Sequence, residues 1–487
     1  MNYFSWILLI GFFLTFIGIS FYSYIKVSNT DDFYVGGGKI PWWLSGVSHH
    51  ISGYSGAVFV GFAGLAYTNG IAIYFWWALT IAISITAGSF VIAPLWSRMR
   101  TKLGVQTPTE YIAQRYNIST QLVMALSGSL LKVFDMGAKW AAIAIILNGF
   151  TGISILNGII IAGVITIFYT VIGGLWANVL NDFAQFIIQF FAVITMIVVV
   201  SMKLGGFSQM MHSFSQLPEG HLNPFNEPYT ITYAVIFLFI NFLSYNGGTW
   251  HLAIRFISAP SGSDARKSAL LSAAMYLVWP AFLFIPMWLA PLIIPNIDNP
   301  EHSYIQMAQM LIPASLIGLV VAGLVANTMA MISSDANTIS GVIMRDILPR
   351  MYKNIGSLDP KKYLRLARIV TFLFTLVTII LALNAHHFGG IVKLIVNWYG
   401  ALLGPIAIPM IFGFVPFFRK SGSNAAMWSI LAGIITFALM KIFHLGFISE
   451  AWEIGLPGLV SLIIFMIPVF VMKEEPQKVK DFFSKIA

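Results

Sequence analysis

Long apolar stretches, separated by short polar loops, follow one another along the whole chain. Each contains the roughly 20 apolar residues that a helix needs to cross the hydrocarbon core of a bilayer. The pattern therefore predicts an all-α, polytopic membrane protein with about thirteen transmembrane helices. These segments are 4–25, 42–66, 71–97, 119–150, 153–174, 179–203, 229–251, 267–295, 304–345, 363–384, 388–418, 423–445 and 451–473.

Two of the segments are interrupted by glycine and polar residues. The second segment contains SHHISGYSG at 48–56, and the seventh contains SYNGGT at 244–249. Helices that break near mid-membrane, at corresponding places in two halves, are typical of transporter binding sites. One such break would equally fit a packing kink, but two breaks five segments apart favour an inverted repeat. Backbone carbonyls freed in this way are available to coordinate a cation.

Composition supports a membrane protein and excludes several other classes. Hydrophobic residues make up 58% of the 487 residues and charged residues 9%, whereas a soluble protein has about a quarter of its residues charged. The absence of cysteine excludes disulfide scaffolds and thiol chemistry. The net charge of +9 lies in short loops between apolar segments, so we expect a lipid bilayer and no nucleic acid as its partner.

The loop charges predict the orientation, because basic residues concentrate on the cytoplasmic side. With alternating segments they fall on one side, which puts the N-terminus outside and the C-terminus in the cytoplasm. The basic loop residues are Arg98, Arg100, Lys102, Arg115, Arg255, Arg266, Lys267, Arg345, Arg350, Lys353, Lys361, Lys362, Arg365, Arg368, Arg419, Lys420, Lys473, Lys478, Lys480 and Lys485. The opposite loops hold Glu219, Glu227, Asp298, Glu301, Glu450 and Glu453.

Three ionisable residues stand out inside the segments: Asp135, Lys139 and Asp182. An ionisable side chain within a transmembrane segment is a functional candidate by default. Asp135 and Lys139 are four residues apart, so they share a helix face and can pair. That pair is either structural or a contact for the solute.

Several motifs together resemble the sodium/solute symporter family over about residues 30–420. A glycine pair starts at Gly173, Asp182 follows nine residues later, and Gln185 three after that, with Asn181 where the family usually has threonine. Three further motifs extend the resemblance: DDFYVGGGKIPWW at 31–43, QTPTEY at 106–111, and SSDANTISGVIMRD at 333–346.

This resemblance implies a LeuT-like five-plus-five inverted-repeat core that spans residues 40–420. Residues 1–30 then form an additional N-terminal transmembrane helix. Residues 421–487 form peripheral C-terminal helices and a short cytoplasmic tail. The implied activity is secondary active transport in a bacterial-type cell membrane (inner or plasma membrane), and the chain is not an enzyme.

The resemblance also implies a Na+ site between the second and ninth segments. Its backbone carbonyl ligands correspond to Ile51, Tyr54 and Asn327. Its two hydroxyl ligands correspond to Ala330 and Met331, whose side chains carry no oxygen. The family's usual sodium site is therefore predicted to be incomplete.

Some members of the family hold the ion differently, at an aspartate and two hydroxyls that correspond here to Asp182, Ser333 and Ser334. A carboxylate with two hydroxyls suits a hard cation, so we expect Na+ at these residues. Asp182 could equally take up a proton when desolvated.

The solute is expected beside the two breaks. The indole rings of Trp76 and Trp77 either stack on the solute or belong to an interfacial aromatic belt. The candidate solute-binding residues are Ser52, Gly53, Ser55, Trp76, Trp77, Asp135, Lys139, Asn246 and Thr249.

Together these features predict a cation-coupled symporter, with Na+ as the expected coupling ion. It imports a small polar solute such as a sugar, a sugar acid, or an amino or organic acid by alternating access. One alternative couples to H+ through Asp182 or a histidine, and another is an uncoupled channel or membrane sensor. No cofactor other than the coupling ion and no obligatory protein partner is expected.

Overall fold

The structure is a computed structural model that describes residues 2–384, 403–443 and 450–486. Within these ranges the regular elements are helices, with one isolated β-bridge between Asn226 and Tyr229. Nine helical segments there are long and apolar enough to cross a membrane. The predicted all-α membrane fold is confirmed, while the count of thirteen spans and the orientation stay predictions.

The helices follow the predicted segments closely. In chain order they are α1 (Tyr3–Tyr24), α2 (Thr30–Val35), α3 (Trp42–Ile51), α4 (Gly61–Asn69), α5 (Thr80–Leu103), α6 (Glu110–Arg115), α7 (Ile118–Thr151), α8 (Ile155–Lys203), α9 (Phe207–Ser213), α10 (Ile231–Leu243), α11 (Trp250–Ile257), α12 (Gly262–Ile293), α13 (Ser303–Leu311), α14 (Ile317–Val342), α15 (Leu348–Met351), α16 (Pro360–Leu383), α17 (Gly404–Phe412), α18 (Ser423–Ile442), α19 (Glu450–Val471) and α20 (Gln477–Ile486).

Local sequence explains where α7 begins and where it is followed by α8. The Asn117 side chain accepts from the Thr120 amide and caps α7, because asparagine satisfies the amides that a first turn leaves unpaired. Gly152 ends the helix at φ 74°, a left-handed conformation that favours glycine. Ser154 then caps α8. The predicted short connection between the fourth and fifth segments follows from Gly152 and Ser154.

Both predicted breaks are present. Helix α3 ends at Ile51, and after residues 52–55 the chain forms a short 3₁₀ turn before α4 begins. Helix α10 ends at Leu243 and passes through a wide turn in which Gly247 has φ 126°. Thr249 is extended and α11 follows.

A third break divides α8 at Gly174, where φ is 54° and ψ is −145°. A Cβ atom there would lie 2.6 Å from the backbone oxygen of Phe33, so only glycine fits both the conformation and the space. The two parts, 155–173 and 175–203, correspond to the predicted fifth and sixth segments.

Helix α14 lies at the centre of the molecule and packs against α7 and α8. Every residue in 320–342 is buried, so its polar side chains face other helices and not lipid. The predicted ninth segment, 304–345, is divided between α13 and α14. Residues 385–402, which include the start of the predicted eleventh segment, lie outside the described residues. The boundaries between the predicted core and its flanking helices stay predictions.

Candidate functional site

The two broken segments meet in the middle of the core. The Tyr245 hydroxyl donates to the Gly53 carbonyl at 2.6 Å, and His251 Nε2 lies 2.8 Å from the Ser52 carbonyl. His49 Nε2 lies 3.1 Å from the Tyr245 carbonyl. Each break therefore supplies side chains to the carbonyls that the other one exposes.

A cluster of five buried ionisable side chains lies next to this junction. Lys132, Asp135 and Lys139 share one face of α7, and the Asp135 carboxylate accepts from the two lysines at 2.8 and 2.7 Å. Asp335 of α14 accepts from the same lysines at 2.8 and 2.7 Å. Asp335 also contacts His251 Nδ1 at 2.6 Å. The predicted pairing of Asp135 with Lys139 is confirmed, within a network larger than predicted.

The hydrogen bonds that His251 can form depend on its protonation. Its Nε2 faces a carbonyl and its Nδ1 faces Asp335, which two lysines hold as a carboxylate. Both partners accept only, so a neutral ring can donate to one of them, whereas a protonated ring can donate to both. His49 differs, because Ser272 can donate to its Nδ1 at 2.8 Å while its Nε2 donates to a carbonyl. The cluster therefore contains two lysines, two carboxylates and a histidine that adds a positive charge only when it is protonated.

Asp182 forms a second buried ion pair, with Arg255. Nη2 of Arg255 lies 3.0 Å from the Asp182 carboxylate and also donates to the Ser334 hydroxyl. Its Nε donates to Ser48 at 2.6 Å, and Ser48 in turn donates to Asp182. The placement of Arg255 among the loop charges was wrong, because it is buried in α11. Ser333 is also buried, and its hydroxyl donates to a backbone carbonyl at 3.1 Å.

The residues that correspond to the family's usual sodium site are buried as a group. Ile51 and Tyr54 flank the first break, and Asn327 lies on α14. The Asn327 amide has no hydrogen-bond partner within the described part of the chain. Ala330 and Met331 are buried and place only apolar atoms there.

The two tryptophans lie in different surroundings. Trp77 packs edge-on against Tyr54 and Phe62, with ring centroids 5.8 and 5.1 Å apart. Trp76 stacks on Tyr229 at 5.3 Å, next to α10. Of the predicted aromatic pair, the structure brings Trp77 to the first break.

The side chains of three other candidate residues form hydrogen bonds with other groups of the protein. The Ser55 hydroxyl caps the 3₁₀ turn that follows it. The Asn246 amide donates to the Ser84 carbonyl at 3.0 Å, which ties the second break to α5. The Thr249 hydroxyl lies 2.6 Å from that of Ser244, across the second break.

The sequence analysis missed four charged residues of the site: Lys132, His251, Arg255 and Asp335. Lys132 is three residues before Asp135, on the same helix face. Asp335 directly follows Ser334, inside a motif that was already identified. His251 and Arg255 are four residues apart, just beyond the second break. The signal that could have found them is an ionisable residue within or next to an apolar segment. The sequence analysis used this criterion for only three residues.

Two of the motifs that carry the family resemblance, QTPTEY and SSDANTISGVIMRD, also meet. The Asp346 carboxylate accepts from the hydroxyls of Thr107 and Thr109 at 2.7 and 2.6 Å. Next to these residues in the chain, Arg345 pairs with Glu110 at 2.7 Å. The QTPTEY motif thus anchors the end of the ninth segment.

Comparison with known proteins identifies relatives along the whole chain. The sodium:solute symporter family model matches residues 33–433. A sodium/proline symporter of Staphylococcus aureus is 26% identical over 507 aligned residues, which cover 98% of this chain and 94% of the relative.

Solved transporters share the fold. A Na+-coupled sialic acid symporter in a substrate-bound, outward-open state superimposes with a TM-score of 0.83 at 20% identity, over 98% of this chain and 99% of that one. A nucleobase-cation-symport-1 family transporter gives a TM-score of 0.57 at 15% identity, over 92% and 96% of the two chains. These similarities confirm the predicted LeuT-like architecture.

Proposed function

Because this chain belongs to the sodium:solute symporter family, a family of transporters and not of enzymes, we propose that it imports a small polar organic solute together with Na+. The solute binds beside the two breaks, and alternating access moves it across the plasma membrane. The meeting of the two breaks supports this most directly, because unwound backbone at membrane depth is tolerated where it lines a binding site.

The solute class that fits best is a small organic acid, such as an amino acid or a sugar acid. The buried cluster next to Ser52 pairs two lysines with two carboxylates, and His251 adds a positive charge that favours an anionic solute whenever its ring is protonated. Proline and sialic acid, the solutes in the names of two relatives, both carry a carboxylate. Trp77, Tyr54 and the backbone at 52–55 would contact the remainder of the solute.

For the coupling ion, we propose a site at Asp182, Ser333 and Ser334. One Asp182 oxygen has no hydrogen-bond partner within the described ranges. Asp182 and Ser334 both contact the same guanidinium nitrogen, so both lie within reach of a single cation. The carbonyls at Ile51, Tyr54 and Asn327 would supply a weaker site, since Ala330 and Met331 add no oxygen.

The test is uptake by purified protein reconstituted in liposomes with an inward Na+ gradient. L-Proline and N-acetylneuraminic acid are the carboxylate probes, and galactose is the neutral control. We expect at least one carboxylate to accumulate only when the gradient is present. The same solute should stabilise the protein in a thermal shift with Na+, by mass action. Accumulation of galactose alone would contradict the solute class.

A second candidate coupling ion is the proton, and His251 favours it. Only a ring that carries two protons can donate to both Ser52 and Asp335, so gain or loss of one proton would change a contact between α11 and either the first break or α14. Uptake without Na+ that follows an imposed pH gradient and disappears in His251→Gln would support this candidate. Uptake that depends on Na+ and ignores the pH gradient would exclude it.

A further inference from the structure

Arg255 is the cation that neutralises Asp182 in this structure. Its guanidinium contacts three side chains on three helices: Ser48 on α3, Asp182 on α8 and Ser334 on α14. Arg255 and all three partners are at most 1% exposed. Two of the contacts, Asp182 and Ser334, are residues proposed above as Na+ ligands.

Charge balance makes Arg255 and Na+ alternatives at this site. With Arg255 in place, the Asp182 carboxylate is neutralised and its pocket carries no net charge. Adding Na+ would place two cations against one buried carboxylate, while removing Arg255 without Na+ would leave the carboxylate unpaired. Both states are costly in a buried environment. Exchange of one cation for the other keeps the pocket neutral throughout.

We propose that Arg255 is an internal cation that competes with Na+ for Asp182, a proposal that rests on the ion site proposed above. Arg255 neutralises Asp182 when no ion is bound, and Na+ displaces the guanidinium when it binds. The carrier can then change conformation without Na+ and without exposing an unpaired carboxylate to its apolar surroundings.

The position of Arg255 connects this exchange to the solute site. Arg255 lies on α11, which begins directly after the break at Gly247 and Thr249. One turn earlier, His251 joins the same helix to Asp335 and to the Ser52 carbonyl. Release of Arg255 from Asp182 therefore frees one of the two charged contacts that hold α11 to the neighbouring helices. Binding of Na+ is coupled in this way to the helix that contacts the solute-binding break.

The experiment measures the Na+ concentration for half-maximal thermal stabilisation of purified protein, in the parent and in variants of Arg255. In Arg255→Gln the competitor is removed, so we expect the half-maximal concentration to fall by about tenfold or more, as for the loss of a close charge partner. Arg255→Lys keeps a charge but lacks the planar fork, so its value should fall by less. Asp182→Asn should show no stabilisation by Na+.

The matched control is the double variant Arg255→Gln with Asp182→Asn, which removes both charges and should also ignore Na+. An Arg255→Gln protein that folds and binds Na+ no better than the parent would overturn the competition. If Arg255→Gln does not fold, Arg255→Lys decides, since an unchanged or higher Na+ requirement contradicts the proposal. Na+ stabilisation that persists in Asp182→Asn would instead refute the ion site at Asp182. Na+-coupled uptake is tested separately, by the liposome assay.

Discussion

Asp335→Asn is the substitution that tests the buried charge cluster most directly. Asparagine has nearly the same size as aspartate, so the change removes a charge and leaves the packing in place. The Asp335 carboxylate accepts from Lys132, Lys139 and His251 at 2.8, 2.7 and 2.6 Å. After the substitution, Asp135 alone faces both lysines.

The expected loss follows from the burial of every member. All five residues of the cluster are at most 4% exposed, so water cannot replace the lost carboxylate. Removing one partner of a buried ion pair costs about 3–5 kcal/mol, far more than the roughly 0–1 kcal/mol of an exposed pair. We expect Asp335→Asn to lower the free energy of unfolding by about 3–5 kcal/mol.

The assay is unfolding of the purified protein in detergent, for the parent, Asp335→Asn, Lys132→Met and the double variant. Lys132→Met together with Asp335→Asn leaves Asp135 paired with Lys139 and restores the charge balance. The double variant should therefore be more stable than the sum of the single losses implies, by about 1 kcal/mol or more.

Two results would refute this reasoning. A loss below about 1 kcal/mol in Asp335→Asn would mean that the cluster behaves like exposed ion pairs. Additive losses in the double variant would mean that Lys132 and Asp335 do not interact energetically, despite the 2.8 Å between their charged atoms.

Three further predictions concern topology, coupling and the ion. Cysteines introduced into this cysteine-free chain at Ser357 and Asn299, both exposed, should react with an impermeant thiol reagent from the cytoplasmic and external sides respectively; reaction from one side would contradict the thirteen-span arrangement. Asp182→Asn should abolish concentrative uptake while protein still reaches the membrane, and normal accumulation would make Asp182 structural. Ser333→Ala should raise the Na+ concentration needed for half-maximal uptake, whereas Ala330→Ser should lower it by adding a hydroxyl to an incomplete site; the opposite shifts would exclude both as ion ligands.

The sequence was sufficient to predict the breaks, because their cause is local. Glycine and polar residues at 48–56 and 244–249 cannot continue an apolar helix, and the structure breaks there. The Asp135–Lys139 pair was likewise predictable, since residues four apart share a face. Gly174 was part of the glycine pair that supported the family resemblance, and its conformation now explains why the pair is needed.

The partners of the charges could not be predicted, because they come from distant segments. Arg255 lies 73 residues from Asp182 along the chain, and a basic residue near a predicted segment end reads as a loop charge. Whether such a residue is a loop cation or a buried partner depends on how far the helix continues. The wide turn at Gly247 restarts the helix at Trp250, and this carries Arg255 into the core.

That restart also accounts for the chemistry of the site. Helix α11 places two basic residues one turn apart, His251 and Arg255, and each contacts a carboxylate on a different neighbour, Asp335 on α14 and Asp182 on α8. Each also contacts α3 beside the first break, at Ser52 and Ser48 respectively. A movement of α11 therefore changes the pairing of both carboxylates at once. The ion site proposed at Asp182 and the solute site proposed near Ser52 would then act on the same short helix, which is the physical link that symport requires.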